Sequence, residues 1–137
     1  MFTSKTLIAS AALVAALTLG SQAKADCEAP AELKTCQQCH ALSGTASKST
    51  GPNIVHVYGA KATQSADFAY SPAMKMAAEK GLVWTEANID EYLADQKAFL
   101  TKINGETLPN KMILVTLKDP EKRKPILAAL KSMNECK

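Results

Sequence analysis

"TCQQCHAL", residues Thr35 to Leu42, holds two of the four cysteines of this 137-residue chain and one of its two histidines. Two thiols and an imidazole within Cys36-Gln37-Gln38-Cys39-His40 mean different things in different redox compartments, so the N-terminus is read next. The opening MFTSKTLIASAALVAALTLGSQAKA places Lys5 ahead of an apolar run from Leu7 to Leu19, then the small-residue pattern Ala23-Lys24-Ala25. That order is expected of a secretory signal peptide, residues 1–25, cleaved after Ala25. An apolar run of about thirteen residues is short of the ~20 that span a bilayer as a helix. The expected product is one soluble domain, residues 26–137, exported to the periplasm without stable membrane insertion.

Loss of Lys5 and Lys24 lowers the basic count from 16 to 14 against 13 acidic residues, and the formal net charge from +3 to +1. A nearly neutral chain with no nucleic-acid motif is not expected to bind nucleic acid.

Outward from the motif, the pattern is helical with long loops. Residues 29–41 mix apolar and polar side chains at helical spacing, with Pro30 at an early position. SGTASKSTGPN reads as a loop. A helix is predicted over 72–80, capped by Ser71 and stopped by Gly81. TEANIDEYLADQKAFL reads as one helix capped by Thr85, with Ile89, Tyr92 and Leu93 as its apolar stripe, and TKINGETLPNKM as loop with its sharpest turn at Asn104-Gly105. The last helix is predicted from Asp119 as cap through Pro120, with Ile126, Leu127, Leu130 and Met133 inward. Pro125 deletes the bond to the carbonyl of Glu121, which predicts a kink or an α start near Lys124. No strand alternation or internal repeat is visible, so the fold class is all-α. Only 5% of the residues are aromatic. Short helices joined by long loops make a poor core unless something else fills the centre, and a large apolar prosthetic group would fill it.

Cys36-x-x-Cys39-His40 supplies the chemistry for one. Both thiols of a C-x-x-C-H segment can add to the vinyl groups of a single haem, and the adjacent imidazole then becomes an axial ligand of the iron. A disulfide, half of a zinc site or a thioredoxin-like centre are the competing readings of C-x-x-C. Zinc needs further ligands, and His56, Cys27 and Cys136 are scattered; a thioredoxin-like centre needs a strand context that is missing. One covalent haem c with its iron is therefore the expected cofactor. Met74, Met76, Met112, Met133 and His56 are candidates for the second axial position. Met133 lies on the apolar side of the last helix, Met74 and Met76 in a helical segment, and Met112 after a loop that gives its backbone freedom of approach.

Taken in order, Cys36 to His40, TGPNIVHVYGAKA, FAYS, GLVWTEANIDEYL, NKMILV and the closing helix with Lys122-Arg123 and ILAALK resemble the landmarks of the class I cytochromes c, nearest to the mitochondrial and bacterial c2-like type. The likeness runs from about Leu33 to Lys131. It implies the cytochrome c fold: four to five short helices and long loops wrapped around one covalent haem, with the first and last helices crossing. By this resemblance Cys36 and Cys39 are the thioether attachments, His40 the proximal ligand and Met112 the distal one. Pro52 matches the proline whose carbonyl accepts the imidazole proton. Tyr70 and Trp84 match aromatic donors to a buried propionate; plain core packing is the alternative role for both.

The chain departs from the pattern in several places. Ala60-Lys61 stands where the family has a basic residue directly after the glycine, Leu114 where many members have an aromatic, and the 101–111 loop is longer than in the mitochondrial proteins. The first helix is short and lacks the usual Gly and Phe pair. Because the family packs its first and last helices together, the resemblance implies a Cys27–Cys136 disulfide, closing about 110 residues and stabilising on the order of 4 kcal/mol in the chain-entropy model. The implied activity is one-electron transfer by a monomeric carrier, not catalysis, with transient redox protein partners steered by charge; Lys48, Lys102, Lys111 and Lys118 are candidates for that steering. A haem enzyme or gas-binding protein with an open sixth position is the alternative.

Overall fold

The computed structural model describes residues 27–136. The expected signal peptide lies outside the described residues. The first described element is a 3-10 turn, Ala31–Leu33, that runs into the short helix α1, Lys34–Gln37. Then come α2 (Pro72–Glu79), α3 (Glu86–Ala94), α4 (Gln96–Asn104) and α5 (Pro120–Met133). Among the described residues there is no strand, only an isolated antiparallel bridge between Lys61 and Val83. No described helix is long and apolar enough to cross a membrane.

Helix α3 packs on both α4 and α5, α2 packs on α4, and the N-terminal turn packs on α5. The first and last helical segments therefore meet, as the cytochrome c fold requires. Leu33, 0% exposed, and Met133, 1% exposed, are the two largest fully buried side chains, and they come from those two segments. Full burial of one such side chain stabilises by about 1.5–3 kcal/mol. The sulfurs of Cys27 and Cys136 are joined across the same junction, with Cα atoms 5.7 Å apart. Trp84, Tyr92 and Phe99 form a second centre, with ring centroids 5.1 to 6.2 Å apart.

The caps follow the sequence. Ser71 accepts from the Met74 amide, and Thr85 and Asn88 cap reciprocally at the start of α3. Asp119 accepts from the Glu121 amide at 3.0 Å. Each such cap contributes about 1 kcal/mol.

Four expectations need correction. The helix read over 29–41 shrinks to a turn and one short helix, because the carbonyls that would continue it are taken by another segment: Gln37 O accepts from Lys48 Nζ, Cys39 O from Thr50 Oγ1 and Ala41 O from the Ile54 amide. The single helix of TEANIDEYLADQKAFL is two. Asp95 is extended at φ −162° and ψ 97°, and its side chain caps α4 by accepting from Ala98 N at 2.9 Å. The loop read from Thr101 begins only at Gly105, since residues 101–104 complete α4; Gly105 takes φ 79° as the C-terminal cap, a conformation that favours glycine. Finally, α5 starts at Pro120, not near Lys124, and runs through Pro125 to Met133. Pro125 lies on the exposed face, where water can satisfy the carbonyl of Glu121.

Candidate functional site

Helix α1 ends inside the motif but its winding does not. The Cys36 carbonyl accepts from both the Cys39 amide, at 3.1 Å, and the His40 amide, at 2.9 Å. This bifurcated turn brings the two thiols and the imidazole to one wall. Cys36 and Cys39 are both unpaired and half-buried.

The segment 47–54 then folds back over the motif. Its path is fixed by Asn53, whose buried amide donates to the carbonyls of Ser43, Gly44 and Ala46 while its oxygen accepts from Val55 N. The Pro52 carbonyl, so placed, accepts a hydrogen bond of 2.8 Å from His40 Nδ1. A carbonyl only accepts, so Nδ1 carries the proton and Nε2 keeps its lone pair. Burial pushes the His40 imidazole below its ordinary pKa; the bond to Pro52 opposes this, and the charge of Lys48 adds to the lowering. A neutral imidazole with a free Nε2 is the form that ligates a metal. Burial is also the main reason the Cys36 thiol is raised.

Gly51 was quoted in the sequence only as part of a turn. A Cβ there would stand 2.8 Å from the Cys39 carbonyl and 2.9 Å from His40 Nδ1. A side chain at 51 forces the strap or the imidazole to shift, which makes Gly51 a residue of the site. Sequence alone signalled it only weakly, by its place beside Pro52.

The motif opens onto an apolar cavity of about 1190 Å³, mouth included, with Cys36, Cys39, His40, Pro52, Tyr70, Trp84 and Met112 all in its wall. The seven residues that the resemblance assigned to the haem are thus gathered in one place. Tyr70 lies edge-on to Phe68, and its hydroxyl accepts from Ser65 N at 3.1 Å, leaving its proton free to donate. Trp84 is held by backbone bonds that pair 82–84 with 59–62. Two unpaired thiols, a neutral imidazole and thioether sulfur around an apolar cavity are the donor set and shape that fit a covalently attached haem.

The alternatives for the second axial position separate. His56 is exposed, Met133 belongs to the core under α5, and neither they nor Met76 line the cavity. Met74 and Met112 both do. The two arrive differently: Met74 is buried within α2, whereas Met112 lies on an irregular span whose start is fixed by side chains the sequence reading passed over. Ala73 N donates to Pro109 O, Ser71 Oγ to Asn110 Oδ1 at 3.2 Å, and Asn110 Nδ2 to the Met112 carbonyl at 3.0 Å. Three of the four candidate steering lysines are also tied locally. Lys102 pairs with Glu91, Lys48 donates to Gln37 O, and Lys111 donates to Ala69 O while lying 5.2 Å above the Phe68 ring.

No protein-family model matches the chain. Individual proteins do. It is 37% identical to cytochrome c2 of Afifella marina over 101 residues, 74% of this chain and 76% of that protein. It is 33% identical to a cytochrome c2 of Rhodopseudomonas palustris over 93% of this chain and 95% of that protein. The solved ferricytochrome c2 of Rhodopseudomonas palustris superimposes with a TM-score of 0.66 at 34% identity, covering 75% of this chain and 93% of that one. Cytochrome c2 from Rhodospirillum centenum gives 0.66 at 33%, covering 75% and 92%. With likeness of sequence and of fold running together through the same motif and cavity, the chain belongs to the cytochrome c2 family of class I c-type cytochromes: it is an electron carrier with one covalently bound haem c, not an enzyme.

Proposed function

We propose that the mature protein, residues 26–137 after removal of residues 1–25, is a monomeric periplasmic carrier whose haem is held by thioethers from Cys36 and Cys39, with His40 as proximal and Met112 as distal ligand of the iron. The observation that carries this reading is the His40 imidazole, in one cavity wall with two unpaired thiols, with Nδ1 committed to Pro52 and Nε2 free.

The haem iron supplies the ferric–ferrous couple; the chain supplies the environment that makes the couple useful. The Pro52 carbonyl raises the basicity of the imidazole and holds its plane. A thioether from Met112 favours the ferrous state and raises the potential, and with both axial positions taken no substrate or diatomic gas has a place to bind. Tyr70 and Trp84 are proposed as donors to a propionate. Apolar walls keep water from the iron, which keeps reorganisation small when one electron arrives or leaves. Partners are other redox proteins, met transiently near the exposed Ile113 and Leu114, 69% and 87% exposed, with the lysine charges steering encounters that weaken as salt rises.

Denaturing mass spectrometry of the exported protein tests the attachment: a single species starting at Asp26 and carrying one haem is expected. A chain that releases its haem on denaturation, or starts at Met1, contradicts it. A second reading has one observation in its favour: Met74 shares the cavity wall. Met112→Ala and Met74→Ala separate them, since only replacement of the true ligand abolishes the near-infrared thioether band of the ferric protein.

A further inference from the structure

Gln96 is a polar side chain where the fold wants none. It is the first residue of α4 and only 4% exposed, and a buried amide of this kind is stable only when its hydrogen bonds are met. Its partners all lie on one short stretch and its anchor. Gln96 Nε2 donates to the Val115 carbonyl at 2.5 Å and more weakly to the Leu93 carbonyl at 3.5 Å, and Gln96 Oε1 accepts from Thr116 Oγ1 at 3.1 Å. Beside these, the Leu117 amide donates to the Leu93 carbonyl at 2.8 Å. Arg123 continues the seam, with Nη1 donating to the carbonyls of Leu117 and Lys118 while Nε and Nη2 reach Asp90.

Upstream, the Met112 span is pinned at Pro109 and Asn110 to the start of α2. Downstream it is pinned at Val115 and Thr116 by Gln96. Between the pins, Ile113 and Leu114 stand in solvent. Of the downstream ties, the Gln96 amide is the one nearest Met112, ahead of those at Leu117 and Lys118. Gln96 follows directly on the break at Asp95, as the first residue of α4.

We propose that Gln96 is a positioning residue for the distal ligand: by clamping Val115 and Thr116 it holds the Met112 sulfur toward the iron and sets how readily that bond opens. This rests on the reading of Met112 as the distal ligand. Without the clamp the span samples open states more often, so an external ligand competes better for the ferric iron and the potential falls. One net hydrogen bond corresponds to a change of roughly fivefold to tenfold in that opening equilibrium.

The test uses the exported, haem-loaded protein. Gln96→Met keeps the volume and the apolar contacts but removes all three side-chain hydrogen bonds of the amide. Asn88→Ala, which removes the side-chain bonds of Asn88 to the Thr85 amide and the Val83 carbonyl and none to the span, is the control for a plain loss of stability. Imidazole titration of the ferric form, the midpoint potential and hydrogen exchange of the Leu117 amide are measured in both. Gln96→Met is expected to bind imidazole roughly five to ten times more tightly, to have a lower potential, and to exchange Leu117 faster. Asn88→Ala should match the natural protein in all three despite a lower Tm. The proposal is overturned if Gln96→Met behaves as Asn88→Ala does. Met112→Ala distinguishes the two ways of failing: if it loses the thioether band while Gln96→Met changes nothing, the clamp alone is wrong, and if it keeps the band, the ligand assignment is wrong and the clamp falls with it.

Discussion

The two sides of the cavity are built by different means. On the His40 side, the motif and the segment that fixes it are close in sequence: His40 to Pro52, Gln37 to Lys48 and Cys39 to Thr50 are bonds across 11 or 12 residues. On the Met112 side, the anchors come from far away: Ser71 to Asn110 spans 39 residues, Lys111 to Ala69 spans 42, and Gln96 to Val115 spans 19. Short loops cost less entropy to close and form independently of the rest of the fold. The proximal wall is accordingly a local structure that fixes an imidazole, while the distal wall exists only when α2, α3 and α4 are all in place. Local opening should therefore begin on the Met112 side.

The sharpest way to break this contrast is to remove the proximal attachment. Cys36→Ser with Cys39→Ser is expected to abolish covalent haem altogether, leaving no haem-stained band on a denaturing gel, and with it the filling of the cavity; a stained band of normal intensity would contradict the account.

Next in size is the junction that docks the short first helix. Cys27→Ala with Cys136→Ala should cost about 2–5 kcal/mol, seen as a lower denaturation midpoint, while both axial ligands stay in place. Loss of the thioether band in that variant would show that the two regions are less separate than drawn.

Gly51→Ala probes the rigidity of the proximal wall. With a Cβ 2.8 Å from Cys39 O and 2.9 Å from His40 Nδ1, either the strap or the imidazole must shift, at about 1–3 kcal/mol. A denaturation midpoint and potential equal to those of the natural protein would show that the wall yields freely.

On the distal side Ser71→Ala removes the α2 cap and the Asn110 contact together, for about 1 kcal/mol. Faster imidazole binding should accompany that small loss.

The smallest effect appears only in alkali. Burial pushes Tyr92 up to about 12, with a hydrogen bond from Asn110 acting the other way. A phenol whose folded pKa is raised above its ordinary value of about 10 gives stability that is complete below pH 10 and is lost as pH rises through 12. Tyr92→Phe should flatten the fall in Tm between those values; an unchanged slope would mean that Tyr92 is not the group responsible.

The same contrast explains what could be read from the sequence. Five consecutive residues disclosed the proximal chemistry because their meaning is local, and Ser71, Thr85 and Asp119 were recognisable as caps for the same reason. The break at Asp95 was hidden: Leu93, Phe99 and Leu100 keep helical spacing across it, and only the tertiary demand for Gln96 beside Val115 shows why the chain interrupts itself there. Gly51 looked like any turn glycine, since the imidazole that forbids it a side chain is eleven positions away. Met112 was singled out by resemblance; the pairing of Ser71 with Asn110 at the start of its span was invisible because it crosses 39 residues.

The central claim is an iron held by His40 on one side and Met112 on the other, and carbon monoxide tests it most directly. Added to the reduced, exported protein, it should leave the spectrum of the natural chain unchanged and form an adduct at once with Met112→Ala. An adduct with the natural protein, or none with Met112→Ala, would contradict the account.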